Sequence, residues 1–339
     1  MILVTGGTGL VGSHLLYDLV KSGKRVRAIK RSDNNISTIK KVFSYYSDNA
    51  DDLFSKIEWV ESDVLDIHSL LEAMEGVTEV YHCAAMVSFA TKKHDTMLKV
   101  NIEGTANVVN AALEKKIKKL CYASSIAALG KYGGKKEIDE ETFWKSSPDN
   151  SVYSISKYGA EREVWRGVQE GLTTVIVNPS IIVGPGNWAR SSSNMFMTAY
   201  KGLKYYTDGV SGFVDVRDVS KTMIQLMDST IQNERFIVSA ENAGYKKFFD
   251  LACENLRKKK PHTKVGRPLS EFAWRTEALR SKLSGTNPLI TRETARAAHQ
   301  INYFSNEKVK KILNVDFIPL EQSVKDTCKL FLKDLETAL

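Results

Sequence analysis

Ile2-Leu3-Val4-Thr5-Gly6-Gly7-Thr8-Gly9-Leu10-Val11-Gly12 runs from an apolar strand pattern straight into a glycine triplet at Gly6, Gly9 and Gly12, and helical spacing follows over 11–21. Glycine at such a corner lets the backbone turn tightly and lets a pyrophosphate meet the helix N-terminus with no Cβ in the way. A packing turn without a ligand uses the same residues. The position between a first strand and a first helix favours the dinucleotide.

Outward from this loop, Ile2–Thr5, Val26–Lys30, 57–60, 80–83, 120–124 and 174–178 read as strands, and 11–21, 67–74, 92–113 and 153–169 carry helical spacing. The alternation predicts an α/β fold, a doubly wound parallel Rossmann sheet with helices on both faces. Ligands bind beyond the carboxyl ends of such strands, so Thr5, Ser124 and Asn178 are expected at one crevice. After about residue 180 the rhythm breaks. Residues 186–212 show no clear period, a helical run begins in 214–219, 236–239 reads as a strand, and the remainder is mostly helical. The expected organisation is a nucleotide-binding domain of 1–185 and 214–240, with a smaller substrate-binding domain of 186–213 and 241–339.

The second strand ends Ala28-Ile29-Lys30-Arg31-Ser32. A carboxylate there would hold the ribose 2′-hydroxyl of NAD, whereas a guanidinium can fork onto a 2′-phosphate. Arg31 therefore favours NADP, and Asp33 close behind keeps NAD open. Asp63, after the third strand, is read either as an acceptor for the adenine amino group or as a helix N-cap.

Tyr153 and Lys157 stand at i and i+4 on one helical face. Tyrosine ordinarily titrates near pH 10, and a neighbouring ammonium is expected to lower that value and make it a usable acid–base group. Ser125, at a strand end 28 residues upstream of Tyr153, can hold a substrate oxygen. Ser154-Ile155-Ser156-Lys157 also matches SxxK, but no KTG element accompanies it, and there is no GxSxG elbow. The histidines show no paired ligand spacing, so no metal is expected. His82 reads as structural.

No apolar run approaches the roughly 20 residues that span a bilayer. Met1 leads directly into a strand, leaving no room for a signal peptide. A cytoplasmic protein with no membrane partner is expected. The four cysteines form no CxxC, and Cys83 and Cys121, in apolar strand-like runs, read as buried thiols. The net charge of +8 reads as scattered, its densest run, Arg257-Lys258-Lys259-Lys260, being a solvated helix end, and no nucleic-acid motif accompanies it. The region 188–213, with Trp188, Met195, Phe196, Met197, Tyr200, Tyr205 and Tyr206, suits either the wall of an apolar substrate site or ordinary core.

Taken together, the chain resembles the extended short-chain dehydrogenases/reductases of the NAD-dependent epimerase/dehydratase group. The matching pieces are the TGGTGLVG loop, Asp63-Val64, His82-Cys83-Ala84-Ala85, Val100 to Thr105, Ser124-Ser125, Tyr153 to Lys157, Asn178 to Pro185, and Val214 to Val219. The resemblance implies Tyr153 as proton donor or acceptor, Lys157 as its pKa modulator and ribose ligand, and Ser125 as carbonyl-positioning hydroxyl. It also implies Gly6, Thr8, Gly9, Leu10, Val11, Arg31, Asp63, Val64, Ala84, Ala85, Ser124, Pro179 and Ile182 along the cofactor, with Asn101 structural. Nucleotide-sugar members carry Arg and Asn where this chain has Asn178 and Ile181. The form Asn-Pro-Ser-x-x-Val-Gly-Pro is closer to dihydroflavonol 4-reductase-like and 3β-hydroxysteroid dehydrogenase-like members. The implied activity is NAD(P)-dependent reduction of a small-molecule ketone or aldehyde. A nucleotide-sugar epimerase or dehydratase with tightly bound NAD is the alternative, with Arg190 or Arg267 as diphosphate anchors. A non-catalytic cofactor-binding sensor is a third class. A homodimer through 92–113 and 153–169 is usual among relatives.

Overall fold

The structure is a computed structural model that describes residues 1–31, 36–88, 90–130, 137–284 and 290–337. Its main layer is a seven-stranded, wholly parallel sheet. The strands are β1 (Ile2–Thr5), β2 (Val26–Lys30), β3 (Ile57–Glu61), β4 (Glu79–His82), β5 (Lys119–Ala123), β6 (Thr174–Pro179) and, after an excursion, β10 (Glu234–Val238). Their order is β10-β6-β5-β4-β1-β2-β3. The order reverses between β1 and β4, where Thr5 and His82 are register partners at the strand ends. A ligand crevice opens at such a switch point.

Both faces of the sheet are covered. On one side the helices Leu10–Lys21 and Val216–Asp228 bury Leu15, Leu16, Leu19, Val219, Met223 and Leu226. On the other, Gly104–Glu114 and Val152–Gln169 bury Val108, Val109, Ala112, Ala160 and Val164. The predicted helix over 92–113 is interrupted: Lys99–Glu103 forms a π-turn that aims the Asn101 side chain inward. Asn101 bonds both backbone groups of Met86 and the Ser156 hydroxyl, at 2.7–2.9 Å. It thereby ties the loop after β4 to the helix that carries Tyr153.

The smaller layer contains β7 (Ile181–Val183), β9 (Val210–Asp215) and β11 (Glu241–Gly244), with β9 central, and a two-strand pair of β8 (Tyr205–Tyr206) and β12 (Thr263–Lys264). Its core is aromatic: Phe196, Phe213, Phe248 and Phe331 are fully buried. The helix Glu307–Leu313, expected with this layer, packs on β10 instead, and Val309 and Val315 join the core of the main layer. No helix among the described residues is long and apolar enough to cross a membrane.

Candidate active site

The glycine loop adopts the shape its residues allow. Gly6 has φ +70°, and a Cβ on it would lie 2.4 Å from the Ala84 nitrogen. The loop after β1 and the loop after β4 therefore touch, and only glycine fits between them. A Cβ on Gly9 would meet the Gly6 carbonyl oxygen at 3.3 Å, a tight contact but a single one. The helix Leu10–Lys21 starts at Gly9 with no side-chain cap and no acidic residue in its first turn. Its leading N–H groups and the positive end of its dipole are left to a ligand anion. The segment 184–186 lies against the same point, since a Cβ on Gly186 would meet Leu10 Cδ1 at 3.0 Å. A pyrophosphate fits this cradle.

The remaining expected cofactor residues lie at carboxyl strand ends. Arg31 is exposed just past β2, and Asp63 is two residues past β3. Asp33 lies outside the described residues. Asp63 is not the N-cap: Asp66 caps the helix Ile67–Ala73, and Asp63 bonds Leu65 N at 3.0 Å with one carboxylate oxygen. Val64 packs on Gly104, where a Cβ would meet it at 2.7 Å. Ala84 is half-buried, Ala85 exposed, and both follow β4. Pro179 closes β6, fully buried, while Ile182 sits half-buried in β7.

Ser125 hydrogen-bonds the Tyr153 phenol through its side chain, which brings the two together. Lys157 is 1% exposed. Its ammonium donates to the Ala123 carbonyl at 2.8 Å and to the Tyr122 hydroxyl at 3.1 Å, and lies over the Tyr122 ring. Burial lowers its pKa to about 8, against an opposing pull from Glu161. The expected lowering of Tyr153 by Lys157 is not what this arrangement gives. Burial raises the phenol, and the Ser125 bond offsets part of that. The physical reason is that the ammonium is held by Tyr122 and Ala123.

Ser124, expected beside the cofactor, instead turns its hydroxyl to Glu161 at 2.6 Å. Glu161 is the residue that sequence reasoning missed. It lies one turn beyond Lys157, 2% exposed, and also accepts from Asn178 Nδ2 at 2.8 Å and Arg235 Nη1 at 3.0 Å. Burying a carboxylate is costly unless such donors meet it, and Ser124 supplies one. Asn178 further bonds the Ser125 carbonyl at 3.0 Å, so Glu161 holds the strand end that carries Ser125. The i+4 spacing of Lys157 and Glu161 was the available signal.

His82 is structural. It is held between Thr5 Oγ1 at 2.6 Å and Thr105 Oγ1 at 3.0 Å, stacked on Tyr122, and burial depresses its pKa to about 3, leaving it neutral. Burial pushes the Cys83 thiol up to about 12. Of the two readings open for the aromatic stretch, substrate wall or ordinary core, Trp188, Met195, Phe196, Met197 and Tyr200 follow the second, while Tyr205 is exposed. Trp188 meets Phe331 edge-on at 5.0 Å and donates to Asp334, Phe196 is buried against Phe248, and Tyr200 meets Phe331. Arg190 and Arg267 are exposed. Among the described residues no three His, Cys, Asp or Glu side chains gather to hold a metal.

The model of the NAD dependent epimerase/dehydratase family matches residues 2–239. The chain belongs to this family. It is an enzyme of the extended short-chain dehydrogenase/reductase type, an oxidoreductase built around a nicotinamide cofactor. It is 27% identical over 338 residues to a putative dihydroflavonol 4-reductase of Synechocystis, covering 97% of this chain and 93% of that protein. It is 30% identical to the sterol demethylase protein B of Methylococcus capsulatus, over 71% of this chain and 70% of that one. Among solved structures, gox2253 superposes with a TM-score of 0.81 at 29% identity, covering 98% of each chain. A UDP-glucose 4-epimerase of Thermotoga maritima gives 0.77 at 19% identity, covering 98% of this chain and 99% of that one, a likeness of fold.

Proposed function

We propose that this family member is an NADPH-dependent reductase of a ketone or aldehyde, with Tyr153 as the proton donor. The observation that carries the reading is the Ser125–Tyr153 hydrogen bond, held one helical turn from a buried Lys157. A reduced nicotinamide, when bound, would supply the hydride for the carbonyl carbon. The chain's own residues handle the oxygen. Ser125 donates to it and fixes its position, and Tyr153 delivers the proton as negative charge develops, so both act on the transition state more than on the ground state. The raised phenol is protonated at neutral pH, the state a donor requires. Lys157, with two of three donors assigned, has one N–H left for the cofactor ribose or the forming tyrosinate. The leading N–H groups of the helix Leu10–Lys21 would hold the pyrophosphate, and Arg31 the 2′-phosphate.

NADPH consumption over a panel of aldehydes, ketosteroids and flavanonols tests the proposal. Tyr153→Phe should cut kcat on the order of 10²–10⁴-fold while NADPH affinity stays near wild type. Unchanged turnover refutes the assigned role. Equal use of NADH removes the argument from Arg31. NAD that survives purification, with no net NADPH consumption, would instead mark the epimerase or dehydratase reading. Asn178, engaged with Glu161 and the Ser125 carbonyl, offers that reading no diphosphate anchor.

A further inference from the structure

The excess positive charge of this chain is not scattered, contrary to the reading of the sequence. Between residues 256 and 284 nine Lys and Arg stand against two Glu, a net +7 of the chain's +8, so the remainder is close to neutral. The same segment contains the 18-residue helix Arg267–Ser284, which leaves large apolar side chains in solvent: Leu269 is 53% exposed, Phe272 64% and Leu279 60%. With exposed Thr276 they fall at i, i+3, i+7 and i+10, one stripe along one face. The opposite face of its first turns meets the protein. Ser270 bonds His299 at 2.7 Å, and Glu271 approaches Arg296 at 3.7 Å.

Arg275 and Arg280 flank the stripe. Arg275 pairs with Glu271 and Arg280 with Glu277 along the helix, and the two are 58% and 47% exposed. Exposed pairs of this kind are weak and exchange readily for another anion. Just upstream, Arg257, Lys258, Lys259 and Lys260 are all exposed. A helix with an apolar stripe, cationic flanks and an adjoining basic run matches the chemistry of a headgroup–acyl boundary. Nucleic acid would use the cations but gain nothing from Leu269 and Leu279.

We infer that the segment 256–284 docks on an anionic phospholipid surface, with the Leu269–Phe272–Leu279 stripe entering the acyl boundary. This binding lies along the membrane and is compatible with the lack of a spanning helix. It does not depend on the reductase reading. Docking has a route to the site: the next helix, Arg292–Ala297, accepts the Val152 amide with Glu293 Oε1 at 2.9 Å, one residue before Tyr153.

The test is co-sedimentation of the full chain with vesicles of phosphatidylcholine alone and of phosphatidylcholine mixed with phosphatidylglycerol, at low and high salt. Partitioning should be at least about tenfold stronger on the anionic vesicles and should fall with salt. The double variant Phe272→Ser/Leu279→Ser should weaken it about tenfold or more, because two apolar side chains lose their burial. Lys258→Glu/Lys259→Glu should weaken it comparably. Thermal melts confirm that these surface variants are folded. Equal or absent binding to the two vesicle types overturns the inference, as does a double variant that binds like wild type. Should wild type be dimeric by sedimentation equilibrium and the double variant monomeric, the stripe is an interface between copies and the inference falls. Should an oligonucleotide bind with the same dependence on the lysines and none on Phe272, the segment is a polyanion site and the inference falls as well.

Discussion

Replacing Glu161 should damage stability and activity in ways that separate. Its carboxylate is nearly inaccessible and accepts from Ser124, Asn178 and Arg235 at 2.6, 2.8 and 3.0 Å. Arg235 is itself only 20% exposed on its side chain. Glu161→Leu leaves that guanidinium and two amide or hydroxyl donors facing a hydrocarbon, which costs about 3–5 kcal/mol, the usual penalty for breaking one side of a buried pair. For a chain of this size that is a fall in Tm of roughly 4–7 °C. Glu161→Gln keeps the shape and one acceptor and should fall by less. The activity arm concerns Lys157. Burial lowers its pKa to about 8 while the Glu161 charge pulls it upward. Removing the charge moves the pKa lower, so the alkaline limb of kcat/KM should shift to lower pH in Glu161→Gln. Melting curves and a pH–rate profile of wild type and both variants decide it. A Leu variant that melts within about 2 °C of wild type, or a Gln variant whose alkaline limb stays in place, would refute the clamp and counter-ion roles respectively.

The glycine loop separates fold from ligand. Gly9→Ala should melt close to wild type yet bind NADPH poorly, whereas Gly12→Ala, whose Cβ would lie 2.2 Å from the Gly6 carbonyl oxygen, should be destabilised outright; titration and melts check both. Asp218 has a pKa raised to about 6, burial being the main cause. A folded value above the unfolded one means that ionisation works against the fold, so stability is fully present below about pH 4 and declines as pH rises through 6. Asp218→Asn, which can still accept from Ile318 N, should raise the Tm above pH 6 and change little at pH 4. His14 and His82 behave oppositely, with values lowered to about 4 and about 3 by burial. Their stabilisation is complete above pH 6.5 and is lost as pH falls through those values, so acid unfolding monitored by circular dichroism should steepen below pH 6 and be milder in a His14→Gln variant.

What is local was legible in the residues before any contact was known. The strand–glycine–helix corner at 2–21, the alternation through 180, the Tyr153/Lys157 face and the serines after β5 are periodicities and spacings within single elements, and the structure carries each of them. The sequence also carried the family, because those spacings are what the family shares. Which group partners which emerged only on folding. Ser124 faces Glu161, Lys157 faces Tyr122 and Ala123, and Asp66 caps the helix that Asp63 was a candidate to cap, because each choice is made by a group from a distant strand or by a neighbour competing for the same donor. The same limit held for Trp188, Phe196 and Tyr200. Aromatic composition says only that the side chains will be buried, and the helix 320–336, arriving with Phe331 more than a hundred residues later, makes them core.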